Sequence, residues 1–242
     1  MRLAFRFRLI PFIATVLLVA LGIALGNWQE RRAAQKIAIG QRLASRTAEA
    51  PLVLGPTITP TEPMEFRRVK VNGQFLPNWP VFLDNRPYQG RPGFYLVMPF
   101  KITGSSTHVL VARGWLPRDM AEHDKLPAYA TPPGQVTIDG VIVASPGRVL
   151  QLGTPAPLKP NAIVQNLEVR EFAQASGLAL QPFFVEQSGP REQGEPFVRD
   201  WPAPALGIEK HQGYAFQWYA LAAMAFLFFV ITGFRSGTKH HG

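Results

Sequence analysis

Glu209-Lys210-His211-Gln212-Gly213-Tyr214-Ala215-Phe216-Gln217-Trp218 is the stretch where a polar chain turns apolar. From Tyr214 to Phe234 run 21 residues without a charge, and Gln217 and Thr232 are their only distinctly polar side chains. As a helix this run is about 31 Å long, against a hydrocarbon core of roughly 30 Å, so it reads as a transmembrane helix. His211, Tyr214, Ala215, Trp218 and Ala222 recur at i, i+3, i+4, i+7 and i+11, which is one helical face. That face carries an imidazole at its mouth, aromatic rings beside it, and small residues that leave room for something flat. Two readings stand open at this point. The rings form an interfacial aromatic belt with His211 merely near the headgroups, or the face is an axial-ligand site for a porphyrin iron.

A second apolar run lies at the other end of the chain. Leu9–Gly26 holds 18 residues without a charge, long enough to span a bilayer with little tilt. Small-x-small patterns at Ala20-Leu21-Gly22 and Ala24-Leu25-Gly26 allow a cleaved signal peptide, but the run exceeds the usual signal core, which favours a retained helix. Gly22 and Gly26 form a GxxxG pair that lets another helix come close. Its partner is the second span, another copy of the chain, or a client protein.

The formal charge of +9 on 242 residues is explained by its location. All 16 acidic residues lie between Glu30 and Glu209, and 20 of the 25 bases lie between Arg31 and Lys210, so the middle is close to balanced. Arg2, Arg6, Arg8, Arg235 and Lys239 lie in the two acid-free tails. Basic tails outside two apolar spans follow the positive-inside pattern, so the charge reports topology and no nucleic acid is expected. The expected organisation is a cytoplasmic tail (1–8), a transmembrane helix (9–26), a periplasmic domain (27–213), a second transmembrane helix (214–234) and a cytoplasmic tail (235–242). With no cysteine, thiol catalysis, disulfides and thiolate metal sites are excluded.

The middle reads as a β-rich domain. Gln29–Ala50 has helical composition and is expected as a solvated helix leaving the membrane; Pro51–Pro63, with its prolines, is expected as a loop. Strands are expected at Phe66–Phe75, Val81–Asn85, Gly93–Phe100, Thr107–Leu116, Gln135–Ala144 and Leu180–Gln187, with Pro182 marking an edge or a bulge. Pro146–Pro160 reads as a loop, and Leu167–Ser176 as a short helix closed by Gly177. Short strands at roughly ten-residue spacing argue for a mainly antiparallel sheet or small barrel with one or two helices. The fold class is thus a membrane protein whose two transmembrane α-helices flank an α+β domain.

That domain offers little for catalysis. His123 with Asp119, Glu122 and Asp124 forms one acidic loop, which reads as solvated charge before it reads as a metal site. His108 sits in a strand, Ser145 precedes a proline, and His240-His241 close the tail. There is no phosphate-binding glycine loop and no HExxH, so an enzyme is not expected. Asp84-Asn85-Arg86 and Arg113-Gly114-Trp115 place guanidinium forks beside turns and rings, and a barrel-closing Arg–Asp pair is favoured over ligand contact.

The order of the motifs carries more than any one of them. Gly26-Asn27-Trp28-Gln29 is followed by Arg68-Val69-Lys70-Val71-Asn72-Gly73-Gln74-Phe75, Asp84-Asn85-Arg86, Pro92-Gly93-Phe94 and Pro99-Phe100. Val109-Leu110-Val111-Ala112-Arg113-Gly114-Trp115-Leu116-Pro117 comes next, and His211-x-x-Tyr214-Ala215-x-x-Trp218 comes last. Over nearly its whole length the chain resembles a bacterial-type member of the Surfeit locus protein 1 family of cytochrome c oxidase assembly factors. The resemblance implies a non-enzymatic factor in the bacterial inner membrane that helps haem a reach oxidase subunit I. His211 stands at the position of the family's haem-iron ligand. Lys210 and Ala112 depart from the asparagines usual there. The expected partners are subunit I, a haem a synthase and the lipid bilayer, and a homo-oligomer is open. Joining the resemblance to the spans places haem a on His211 as the metal ligand. Its ring would lie against Tyr214 and Trp218 over Ala215 and Ala222. Trp28, Arg31 and Arg32 would stand at the same interface, the arginines or Lys210 toward its propionates. The rival expectation is a membrane-tethered scaffold for oxidase subunits that never ligates haem.

Overall fold

The computed structural model describes residues 5, 7–122, 125–151, 153, 157–189, 195–203 and 206–234. In chain order the elements are α1 (Leu9–Ala48), β1 (Leu52–Val53), α2 (Thr61–Met64), β2 (Arg68–Phe75), β3 (Val81–Leu83) and β4 (Gly93–Ile102). They continue as β5 (Thr107–Pro117), β6 (Val136–Val143), β7 (Ala162–Val164), α3 (Val169–Ser176), β8 (Ala179–Ser188) and α4 (Ile208–Gly233). The chain divides into two compact units, Met1–Arg42 with Pro204–Gly242, and Leu43–Ala203.

The first unit is a helix pair. Both helices are long and apolar enough to cross a membrane. The expected span over 9–26 and the expected solvated helix from Gln29 are one continuous α1 of 40 residues. No proline or cap separates them, and the run after Gly26 is made of good helix formers. Of the three partners open to the GxxxG pair, the structure selects α4. Gly22, Gly26 and Ala33 of α1 and Ala215 and Ala222 of α4 are the buried residues of the two helices. A Cβ at Gly22 would lie 2.9 Å from that of Ala222, and one at Gly26 would run into the Tyr219 ring. Close approach of backbones through small residues is how helices gain packing in lipid. The space expected over Ala215 and Ala222 for a flat group is therefore filled by α1.

The second unit is a closed five-stranded barrel. Its strands run β2-β6-β8-β5-β4, and β4 pairs back onto β2 through Gly73↔Ile102 to Phe75↔Phe100. The expected barrel is present and mainly antiparallel, but β5–β8, β1–β2 and β3–β7 are parallel. β1, of two residues, falls within the expected loop 51–63, and β7, of three, in the stretch 161–166 to which no element was assigned. β8 lies between β5 and β6, so Pro182 does not mark an edge; it sits in a bulge, where the register steps from His108↔Leu180 to Leu110↔Phe184. Gly177 closes α3 in the left-handed conformation as expected, at φ 72°.

Both faces of β4 are buried. Phe94, Leu96 and Met98 enter one core cluster with Val71 and Phe183, while Tyr95 and Val97 join another with Leu83, Val164 and Phe172. β3, β7 and α3 contribute to that second core. This is why Gly93-Phe94-Tyr95-Leu96-Val97-Met98 reads as a continuous apolar run and not as an alternating one.

Candidate cofactor-binding site at the helix ends

His211 lies in the first turn of α4 and is half-buried. Its Nδ1 is 2.8 Å from Oε1 of Gln29 on α1. A ring nitrogen facing an amide oxygen carries a proton, so Nδ1–H donates, and in the neutral imidazole this puts the lone pair on Nε2. Nε2 has no partner among the described residues. An imidazole fixed through one nitrogen, with the other open, is the usual state of a metal-ligating histidine. About two turns further along α4, the Tyr219 hydroxyl donates to Oδ1 of Asn27 at 2.8 Å. Gln29 and Asn27 belong to the Gly26-Asn27-Trp28-Gln29 motif, but no site role was expected of them. The signal available was Gln29 seven residues beyond Gly22, a polar side chain on the same stripe as the glycines.

The other expected residues divide by face. Leu21, Trp28 and Arg32 stand at i, i+7 and i+11 on α1, and the Arg32 guanidinium lies 5.6 Å from the Trp28 ring centroid. Lys210, Tyr214, Leu221 and Phe228 stand at i, i+4, i+11 and i+18 on α4. Leu21, Leu221 and Phe228 line one groove together, so the two stripes share one flank of the pair. Trp218 also lines that groove. Trp28 and Tyr214 are 45% and 53% exposed, aromatic surface free for a ligand or lipid. Arg31, at i+3 from Trp28, lies about 60° around α1 from that ring and about 160° from Gln29, so it faces away from α4. The structure thus joins His211 to Gln29 and Trp28 to Arg32, groups Tyr214, Trp218 and Lys210 on the same flank, and leaves Arg31 apart.

The polar groups of the barrel are engaged in the fold. Arg113 is fully buried because β5 bulges there: Leu96 pairs with Gly114 and Val97 with Ala112, leaving Arg113 unopposed. A bulge re-aims its side chain, here between the rings of Phe75 and Phe197 at 4.6 and 4.5 Å. Its guanidinium donates to the Ala130 carbonyl at 3.0 Å and pairs with Glu195 at 3.4 Å. In place of the expected Arg–Asp pair, Arg113 on β5 pairs with Glu195 outside the strands, and Asp84 pairs with Arg118 at 3.0 Å. Asn85 takes the left-handed conformation (φ 58°), and the adjacent Arg86 donates to the carbonyls of Asp84, Gly147 and Gln165. Trp115 donates through its indole to the Arg86 carbonyl at 2.7 Å.

The remaining expected groups are structural in their contacts. His108 is buried with Nδ1 3.3 Å from the Ala179 carbonyl, and burial lowers its pKa. Asp119 accepts from the backbone N–H groups of Ala121 and Glu122, which lowers its pKa, and Lys125 pairs with Asp119 and Glu122. His123, Asp124, His240 and His241 lie outside the described residues. Glu186, half-buried on β8, is pushed up to about 7 by desolvation.

Comparison with known proteins covers both the helix pair and the barrel. The SURF1 family model matches residues 16–223, a range that includes every residue of the helix-end site. A SURF1-like protein of Rickettsia conorii is 30% identical over 216 residues, 86% of this chain and 85% of that protein. Surfeit locus protein 1 of Takifugu rubripes is 25% identical over 242 residues, 88% of this chain and 93% of its own. A yeast protein named cytochrome oxidase assembly protein SHY1 is 31% identical over 102 residues, 41% of this chain and 26% of that protein.

Proposed function

The chain belongs to the SURF1 family, and on that premise we propose that it is an assembly factor for a haem-copper cytochrome c oxidase. The name of the yeast relative supports the assembly role. In this reading the protein sits in the bacterial inner membrane with residues 27–213 on the periplasmic side. Haem a is its cargo, held at the outer interface on the way from a haem a synthase to oxidase subunit I.

The observation that carries the haem reading is the His211–Gln29 hydrogen bond across the helix pair. It holds the imidazole in the tautomer that offers Nε2 to iron, and it ties ring orientation to the packing of α1 against α4. The residues fit an iron porphyrin. One open imidazole nitrogen is flanked by Trp28, Tyr214 and Trp218, with Arg32 and Lys210 on the same side for two propionates. Charge-assisted contacts of that kind contribute about 1.5–3 kcal/mol each when sheltered and less at a wet interface. Arg31, turned away, serves as a headgroup anchor. The ring lies on the exposed flank and not over Ala215 and Ala222. A single protein ligand suits a carrier: it orients the cargo yet leaves one bond to break at hand-off.

The test is the haem content of protein purified from cells making haem a, compared with His211→Ala. Loss of the bound haem spectrum is expected in the variant, and an unchanged spectrum would rule His211 out. The rival scaffold reading predicts that a deletion strain carrying His211→Ala still assembles haem a oxidase, read from the absorbance of its membranes.

A further inference from the structure

The flank that holds Trp218 continues as an apolar groove along the pair. Leu18 and Leu21 of α1 and Trp218, Leu221, Ala225 and Phe228 of α4 line it, around a cavity of about 440 Å³ with no charged side chain at its wall. From Trp218 to Phe228 is ten residues, about 15 Å along the helix. Haem a differs from haem b in two ring substituents, a formyl group and a long isoprenoid tail. With C–C bonds of about 1.5 Å, that tail is also about 15 Å long when extended. Resting on the reading of His211 as the haem a ligand, we infer that this groove receives the isoprenoid tail and makes the site select tailed haems.

Continuity is the physical reason. Trp218 belongs to the ring site and to the upper end of the groove, so a porphyrin edge on the Lys210–Tyr214 flank points its substituent into the channel. The groove presents no charge to a peptide or an ion, and the indole N–H of Trp218 at its upper end is the one side-chain donor in its lining. Selection does not come from the hydrophobic effect, because lipid tails are as apolar as the wall. It comes from shape fit and from tethering, since the ring holds the tail at high effective concentration beside the groove. Those terms are modest, and a preference of about tenfold is expected.

The full-length protein in lipid nanodiscs is titrated with haem a, haem b and haem o, which keeps the tail and lacks the formyl group. The readout is the absorbance change that depends on His211. Haem a and haem o are expected to bind about tenfold more tightly than haem b. Ala225→Phe, which fills the groove, is expected to bring both to the level of haem b and to leave haem b unchanged. Ala223→Phe, on the exposed side of α4 away from the groove, should preserve the order. Equal binding of the three haems, as when a lipid chain occupies the groove, overturns the inference. So does equal weakening of all three by Ala225→Phe. If that variant does not fold, haem o against haem b on the natural chain decides alone. Absence of a His211-dependent spectrum with every haem is a different result, because it removes the ligand reading itself.

Discussion

The helix pair and the barrel use polar side chains in opposite ways. In the barrel, Arg113 and Arg86 are buried and turned onto carbonyls, rings and carboxylates of the fold itself. In the helix pair, His211 is held by one nitrogen only, and Arg32 and Lys210 stand on an open flank. A desolvated guanidinium must be paired or the fold loses several kcal/mol, so its partners are structural. A half-buried imidazole near the end of an apolar helix tolerates an open valence, and that valence is where the proposed cargo would bind. The difference teaches that the buried arginines of the barrel serve its packing, whereas the histidine of the helix pair is left as the side chain to test for function.

Four experiments break or sharpen that contrast. The largest effect is expected from Arg113→Ala, which removes one of the two guanidinium groups on Glu195, leaving Arg199 at 2.6 Å, and opens the space between Phe75 and Phe197. A loss of about 3–5 kcal/mol follows from the cavity together with the lost pairing, read from thermal or denaturant unfolding. A stable variant would show that Arg113 is not structural.

Glu186 comes next. Burial raises its pKa from the ordinary 4.5 to about 7, so the folded state holds the proton more tightly than the unfolded chain. The stability this contributes is present below about 4.5 and is lost as the pH rises through about 7, on the order of 3 kcal/mol in all. Glu186→Gln should flatten the pH dependence of the unfolding temperature over that window. An undiminished slope would assign it to other groups.

Third is Gln29→Leu, which removes the hydrogen bond to His211 and leaves the packing volume nearly unchanged. Loss of a hydrogen-bond partner behind a metal ligand costs about 10–100-fold in affinity. Haem binding should weaken by that amount with the helix pair intact, as judged by circular dichroism. Unaltered affinity would mean that the imidazole is oriented by something other than Gln29. The smallest effect is expected from Arg32→Ala. An exposed charge contact contributes about 1 kcal/mol or less, so haem affinity should fall by no more than about fivefold, and Arg31→Ala should fall by less. A larger loss at Arg31 would reverse the flank assigned to the cargo.

Much of this was legible in the chain. The two apolar runs, the strands from Arg68 to Phe75 and from Thr107 to Pro117, and the Gly177 stop of α3 follow from periodicity, composition and turn chemistry. Those are local properties. His211 stood out because it opens the second span. The family was visible in the order of its motifs, each too short to specify it alone.

What only the tertiary structure decided depends on two segments meeting. Gln29 became the partner of His211 through a contact 182 positions away in the sequence. Ala215 and Ala222 turned from a floor for a flat ligand into a seam against Gly22 and Gly26, because small residues serve either purpose until a second helix arrives. Arg113 exchanged an expected aspartate for Glu195 because a bulge in β5 set its direction. Local sequence determined which elements form and which side chains are available for chemistry. The packing of those elements determined which side chains the fold itself engages, and it set His211 against Gln29 at the helix ends.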